Sequence, residues 1–145
     1  MIKEINFDMD GTLVDFYSVA NWLDYLINSD SFPYRVAKPL INMNSFARIV
    51  NHLRKNGYVI NIISWTSKNG SLDFNREVAE EKRKWLSKHL ASVHFDNIII
   101  IPYGEPKRNY GKGILFDDEL KNRNDWIGQS FDETNILENL KDLLR

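Results

Sequence analysis

At 145 residues, with 43% hydrophobic and 27% charged side chains, the chain has the size and composition of one soluble globular domain able to build its own core. A formal net charge of −1 excludes a global pull toward nucleic acid or anionic membrane, and the absence of cysteine excludes disulfides, thiolate metal ligands and a thiol nucleophile. No stretch approaches membrane-spanning length and no basic-then-apolar leader opens the chain, so the expectation is a cytoplasmic protein without a membrane partner.

The first element is a short apolar strand at Ile5-Asn6-Phe7, which breaks into the acidic turn Asp8-Met9-Asp10-Gly11-Thr12. Val19, Trp22, Leu23 and Leu26 then fall at helical spacing, predicting a short amphipathic helix that ends near Asn28. Ser29 to Pro39, with prolines at both Pro33 and Pro39, reads as an irregular loop. A second helix presents Phe46, Ile49, Val50 and Leu53, with Asn44 as its cap and Gly57 as its stop. Tyr58 to Ile63 is a near-continuous apolar run that predicts a central parallel strand, ending at Ser64-Trp65.

Asn75 to Leu90 is the longest predicted helix, buried through Val78, Trp85, Leu86 and Leu90, and Glu80 to Lys84 reads as its solvated face. A β-branched strand follows at Asn97 to Ile101, then a loop carrying Lys107, then a short buried strand at Ile114-Leu115-Phe116 ending in Asp117-Asp118. A short helix to about Asp125, a weak edge strand near Ile127 to Phe131 and a C-terminal helix with Ile136, Leu137 and Leu140 complete the chain. Alternating strands and helices predict a doubly wound, mostly parallel α/β sheet with helices on both faces. Trp22, Trp85 and Trp126 are read as core.

Ligands of such sheets bind at the carboxyl ends of the strands. Asp8 and Asp10, then Ser64, then Asp117 and Asp118 all stand at predicted strand ends, with Lys107 just before the last pair. Together they suit phosphoryl transfer through a carboxylate. Paired carboxylates hold magnesium, a serine hydroxyl donates to a phosphate oxygen, and a lysine adds fixed positive charge. A second acid can protonate the leaving oxygen and then activate water.

With Asp8-Met9-Asp10-Gly11-Thr12, Ser64, Lys107 and Asp117-Asp118 in this order, the chain resembles the haloacid dehalogenase (HAD) superfamily of phosphatases and phosphotransferases. The resemblance implies that Asp8 is the nucleophile and Asp10 the general acid/base. It implies Mg2+ held by Asp8, the Asp10 carbonyl and the Asp117-Asp118 pair, with Asp118 the direct ligand and Asp117 bound through water or orienting Lys107. Asp15-Phe16, Glu81-Lys82 leading to Trp85-Leu86 and Lys88, and the ten-residue step from Lys107 to Asp117 are similar to the 5′(3′)-deoxyribonucleotidase branch. That implies a 5′-nucleotidase acting on (deoxy)ribonucleoside monophosphates. Ser64 departs from that branch, which usually has threonine, and Glu119 stands where arginine is common. Residues 16–43 form only a reduced cap insertion within the single 1–145 domain, so the site is either open to larger substrates or covered by a second subunit in a homodimer.

Phe16 is either a base-stacking residue or core, and Trp65 either lines the pocket or packs locally. Thr66 and Ser67 compete with Ser64, and Arg108 and Lys112 with Lys107; Lys68 and Arg76 are candidates for a second phosphate or a ribose. His52, His89 and His94 lack metal-ligand spacing. Rival readings are a sugar-phosphate phosphatase, a nucleic-acid-end phosphatase (though no clear basic track is present) and a non-catalytic phosphate-binding scaffold. A receiver domain has similar parts, but its acidic pair ends the first strand, the reverse of the order here.

Overall fold

The apolar run Glu4–Phe7 (β1) is the middle strand of the sheet, and the computed structural model describes the whole chain around it, residues 1–145. After it come β2 (Val14–Asp15), α1 (Trp22–Ile27), α2 (Phe32–Val36), β3 (Lys38–Pro39) and α3 (Met43–Lys55). Then follow β4 (Val59–Trp65), α4 (Leu72–His89), β5 (Asn97–Ile101), β6 (Ile114–Phe116), α5 (Leu120–Asp125), β7 (Ser130–Phe131) and α6 (Ile136–Asp142). Five strands form one parallel sheet in the order β5-β4-β1-β6-β7, so the fold is α/β with a parallel sheet flanked by helices. No helix is long and apolar enough to cross a membrane.

Alternation along the strands sends their residues to two unequal cores. One face carries Ile5, Phe7, Ile60, Ile62 and Phe116 into the main core, where Phe46 and Val50 of α3, Val78 and Trp85 of α4 and Leu140 of α6 meet them. Phe7 sits edge-on to Phe46 and stacks on Phe116, with ring centroids 5.0 and 5.2 Å apart. The other face has a small core of Ile63, Ile101, Leu115 and Trp126. The crossover from β5 to β6 passes β4 and β1 with no α-helix, only the 3₁₀ turn Lys107–Asn109. An amide ladder running from the sheet edge into the core fixes the register: the exposed Asn97 donates to the buried Asn61, and Asn61 to the buried Asn6, each at 3.0 Å. A one-residue slip would strand these amides without partners.

Several boundaries differ from the sequence reading. The expected loop at 29–39 holds α2 and β3. Pro33 lies in the first turn of α2, where its missing N–H costs no helix bond, and Pro39 lies in a two-residue strand paired antiparallel with β2. The cap of α3 is Asn42, which accepts from the Ser45 amide, rather than Asn44. Helix α4 starts at Leu72 behind a Ser71 cap, three residues before the expected Asn75. Helix α1 forms and ends at Asn28 as expected, but none of its residues is buried; Leu23 and Ile27 are 53% and 70% exposed. Trp22 is accordingly half-buried rather than core, unlike Trp85 and Trp126.

Candidate active site

The site is built where the carboxyl ends of β1, β4 and β6 adjoin. Asp8 follows directly on β1, and its amide donates to the Phe116 carbonyl of β6 at 2.9 Å. The chain then folds back on itself: amides of Thr12, Leu13 and Val14 converge on the Met9 carbonyl at 3.1, 3.0 and 2.9 Å. Gly11 makes this turn possible at φ +82°, and a Cβ there would run into the Asp118 carboxylate. Thr12 ties the two acidic motifs together; its hydroxyl oxygen lies 3.0 Å from Asp8 Oδ2 and accepts from the Asp118 amide at 3.1 Å.

Lys107, 3% exposed, donates to Asp8 Oδ1 at 2.8 Å and to Asp117 Oδ2 at 2.7 Å. Asp117 also accepts from Asn122 at 3.0 Å and from the Glu119 amide at 2.9 Å, so both its oxygens are occupied. Carboxylate oxygens of Asp8, Asp117 and Asp118 lie within 4.8 Å of one another. Burial and the charges of Asp8 and Asp117 push Asp118 up to about 9, and burial with the Asp8 charge pushes Asp117 up to about 6. Burial alone would raise Asp8 too, but Lys107 and the hydrogen bonds around it outweigh this and hold Asp8 below the usual carboxylate range. Burial lowers Lys107, yet contact with Asp8 and Asp117 more than reverses that. Of the three acids, Asp118 is thus the one pushed up furthest in the absence of a metal.

Asp10 points the other way. Its Oδ2 accepts from Lys82 at 3.0 Å, and Lys82 also donates to Ser64 Oγ and to the Trp65 carbonyl, each at 2.7 Å. Burial raises Asp10 above the usual range, with Lys82 opposing the shift. Lys82 is 2% exposed, which corrects its reading as part of a solvated face. The signal was present in the sequence: Val78, Lys82, Trp85 and Leu86 stand at i, i+4, i+7 and i+8, a single helical stripe. Asn122 was also missed and carries no spacing signal of its own, whereas Thr12 stands in the acidic motif that the sequence singles out, without a role assigned to it.

A cavity of about 450 Å³ opens over these groups. It is lined by the polar Asp8, Asp10, Ser64 and Lys107, by the apolar Phe16, Trp22, Leu23 and Leu26 of the 16–43 segment, and by Trp65 and Tyr103, whose rings lie 4.9 Å apart. Phe16 is buried in the core, its ring 4.6 Å from that of Tyr34, and it also borders the cavity. Trp65 lines the cavity while its indole N–H donates to the Glu105 carbonyl at 2.9 Å. Of the competing residues, Arg108, Arg76 and Lys112 stand outside the cavity. Arg108 pairs with Asp125, Arg76 with Asp73, and Lys112 is exposed. Thr66, Ser67 and Lys68 also line the cavity: the buried Thr66 hydroxyl is unpartnered, the Ser67 amide donates to Asn75 Oδ1 at 3.2 Å, and the Lys68 ammonium lies 5.9 Å over the Tyr103 ring. The His89 ring packs at a tilt against Trp85, centroids 4.4 Å apart, and is not part of the Asp8, Asp117 and Asp118 grouping.

No protein-family model matches this chain, and no curated protein matches it. The chemistry of the site is therefore read from its geometry.

Proposed function

We propose that this protein is a magnesium-dependent phosphomonoester hydrolase of the HAD type, working through an aspartyl phosphate on Asp8, with nucleoside monophosphates as its substrates. The observation that carries this reading is Asp8 itself: a buried carboxylate, held ionised by Lys107 and facing an open cavity, with a second acid two residues on. A purely structural ion pair has no need of a cavity at its nucleophilic face.

The donor set fits magnesium, a hard cation that takes one or two carboxylates and leaves room for phosphate oxygens and waters. Asp8 and Asp118 would hold it, with the Asp10 carbonyl; Asp117, saturated by Lys107, Asn122 and the Glu119 amide, keeps Lys107 in place instead. When bound, magnesium would mask the repulsion between Asp8 and an anionic phosphate. In the reaction the Asp8 carboxylate attacks phosphorus, and Lys107 neutralises charge on the transferring group. Ser64 donates to a phosphate oxygen. Asp10 gives its proton to the departing ester oxygen, then takes one from the water that releases Asp8.

Residues 16–43 act as a reduced cap. They rise from the β2–β3 pair and are tied to α4, where Ser31 bonds Glu77 at 3.0 Å and Trp85 donates to the Ala37 carbonyl at 2.8 Å. The apolar wall this cap supplies favours a leaving group with an aromatic face over a sugar, which supports a nucleotide above a sugar phosphate. The test is phosphate release from nucleoside monophosphates, sugar phosphates and an aryl phosphate, by wild type and Asp8→Asn, with magnesium or chelator. Release that needs both Asp8 and magnesium is expected. Wild type inert on every substrate, or unaffected by Asp8→Asn, would overturn the proposal.

A further inference from the structure

We propose that Lys82 is a positioning residue that aims the proton of Ser64 and the free oxygen of Asp10 at the reacting phosphate ester; this rests on the phosphohydrolase reading above. Lysine is among the residues least often buried, and its ammonium offers three donors. Here those three donors meet three oxygens, Asp10 Oδ2, Ser64 Oγ and the Trp65 carbonyl, with the Tyr34 ring centroid 5.4 Å from the ammonium. All three belong to residues that line the cavity. The strands that carry them are already joined by the β1–β4 ladder, from Glu4–Val59 to Phe7–Ile62, so the ammonium is not needed to pair them.

The consequence for Ser64 is directional. A serine hydroxyl can offer either its proton or a lone pair, according to its neighbours. Ser64 accepts from Lys82, so its own proton has to point away from the ammonium, toward the cavity that Ser64 lines. That fixes it as a donor to a phosphate oxygen. For Asp10, the bond from Lys82 is its only side-chain hydrogen bond, and it occupies Oδ2. Oδ1 is left to carry the transferable proton. In the first step Asp8 oxygen bonds to phosphorus, the P–O ester bond breaks and the ester oxygen takes that proton. In the second, water oxygen bonds to phosphorus, the Asp8–phosphorus bond breaks and a water proton returns to Oδ1. Lys82 gains and loses nothing in either step.

The test compares Lys82→Met, which keeps the length and loses the charge, with wild type on two esters. An aryl phosphate with a stable phenolate leaving group needs no proton to depart, whereas a nucleoside 5′-monophosphate does. The kcat/KM of the Met variant should fall about tenfold on the aryl ester, through loss of the Ser64 donor, and about a hundredfold further on the nucleotide, the usual scale of general acid catalysis. An equal fall on both esters assigns Lys82 a structural role only and overturns the proposal, as does no fall at all. Should Lys82→Met fail to fold, the chain offers a second route, because it has no cysteine. Lys82→Cys, alkylated in denaturant with bromoethylamine or with iodoacetamide and then refolded, restores an ammonium or leaves a neutral amide. Nucleotide hydrolysis regained only with the ammonium supports the proposal, and equal activity of the two overturns it. A wild type inert on both esters would instead sink the phosphohydrolase reading.

Discussion

Replacing Asp118 by Asn should stabilise the metal-free protein while abolishing its response to magnesium. The folded state keeps a proton on Asp118 up to about pH 9, because burial and the charges of Asp8 and Asp117 disfavour its ionised form, while the unfolded carboxyl titrates near 3.8. The sign follows directly. Between these values folding takes up a proton, so this group makes the protein less stable as pH rises from about 4 toward 9. Each pH unit in that window costs about 1.4 kcal/mol, or about 4 kcal/mol at pH 7, and the partial exposure of the half-buried side chain brings this to about 2 kcal/mol. Asn keeps the shape and needs no proton. In chelator at pH 7, Asp118→Asn should therefore melt about 5 °C above wild type, since about 2–4 °C accompanies each kcal/mol in a domain of this size. Excess magnesium should raise the melting point of wild type, by more at pH 8 than at pH 6 because the cation must displace the proton, and leave the variant unmoved. Scanning fluorimetry at both pH values reads all of this. A variant less stable than wild type in chelator would refute the proton held by Asp118, and one that responds equally to magnesium would refute the placement of the cation between Asp8 and Asp118.

Lys107→Met leaves Asp8 and Asp117 buried and unpaired, and should lower the free energy of unfolding by about 3–5 kcal/mol in urea titrations as well as abolishing turnover. Leu23→Asp with Ile27→Asp, on the exposed face of α1, should change stability by less than about 0.5 kcal/mol yet raise KM for an aryl or nucleoside ester more than for a small alkyl phosphate, as steady-state kinetics would show. Asn61→Leu breaks the amide ladder in its middle, leaving the buried Asn6 acceptor unpaired while the exposed Asn97 turns to water; about 1–2 kcal/mol of stability should be lost with kcat little changed, measured by denaturant midpoint and initial rates.

What was legible in the sequence depended on how each residue is carried into the site. Asp8, Ser64 and Asp117 end strands, and a run such as Ile114-Leu115-Phe116 followed by two acids announces both the strand and its end. Lys107 was legible for a related reason. It lies in the crossover just before β6 and contacts the acid that ends that strand, so its distance along the chain is tied to that strand. The insertion was harder to read. Pro33 and Pro39 signal loops in most settings, and only the first turn of a helix or the edge of a sheet accepts them, as happens here. The apolar spacing of α1 correctly implied a helix but not its destination, because the same stripe can face a core or a cavity.

Lys82 shows the converse difficulty. A charged residue on a helix is read by its neighbours in sequence, and Glu80, Glu81, Arg83 and Lys84 make that neighbourhood look like open surface. Its true neighbours are angular: one turn on from Val78 and one turn before Trp85 and Leu86, it is held on the buried stripe whatever its charge. An ion carried inward by a helix in this way is tolerated only if oxygens wait for it, and the turn after β1 and the end of β4 supply three. The stripe thus contains its own test. A lysine at a core position of an amphipathic helix demands acceptors, and in a parallel α/β fold the unpaired oxygens nearest such a helix lie at the carboxyl edge of the sheet, where the site is built.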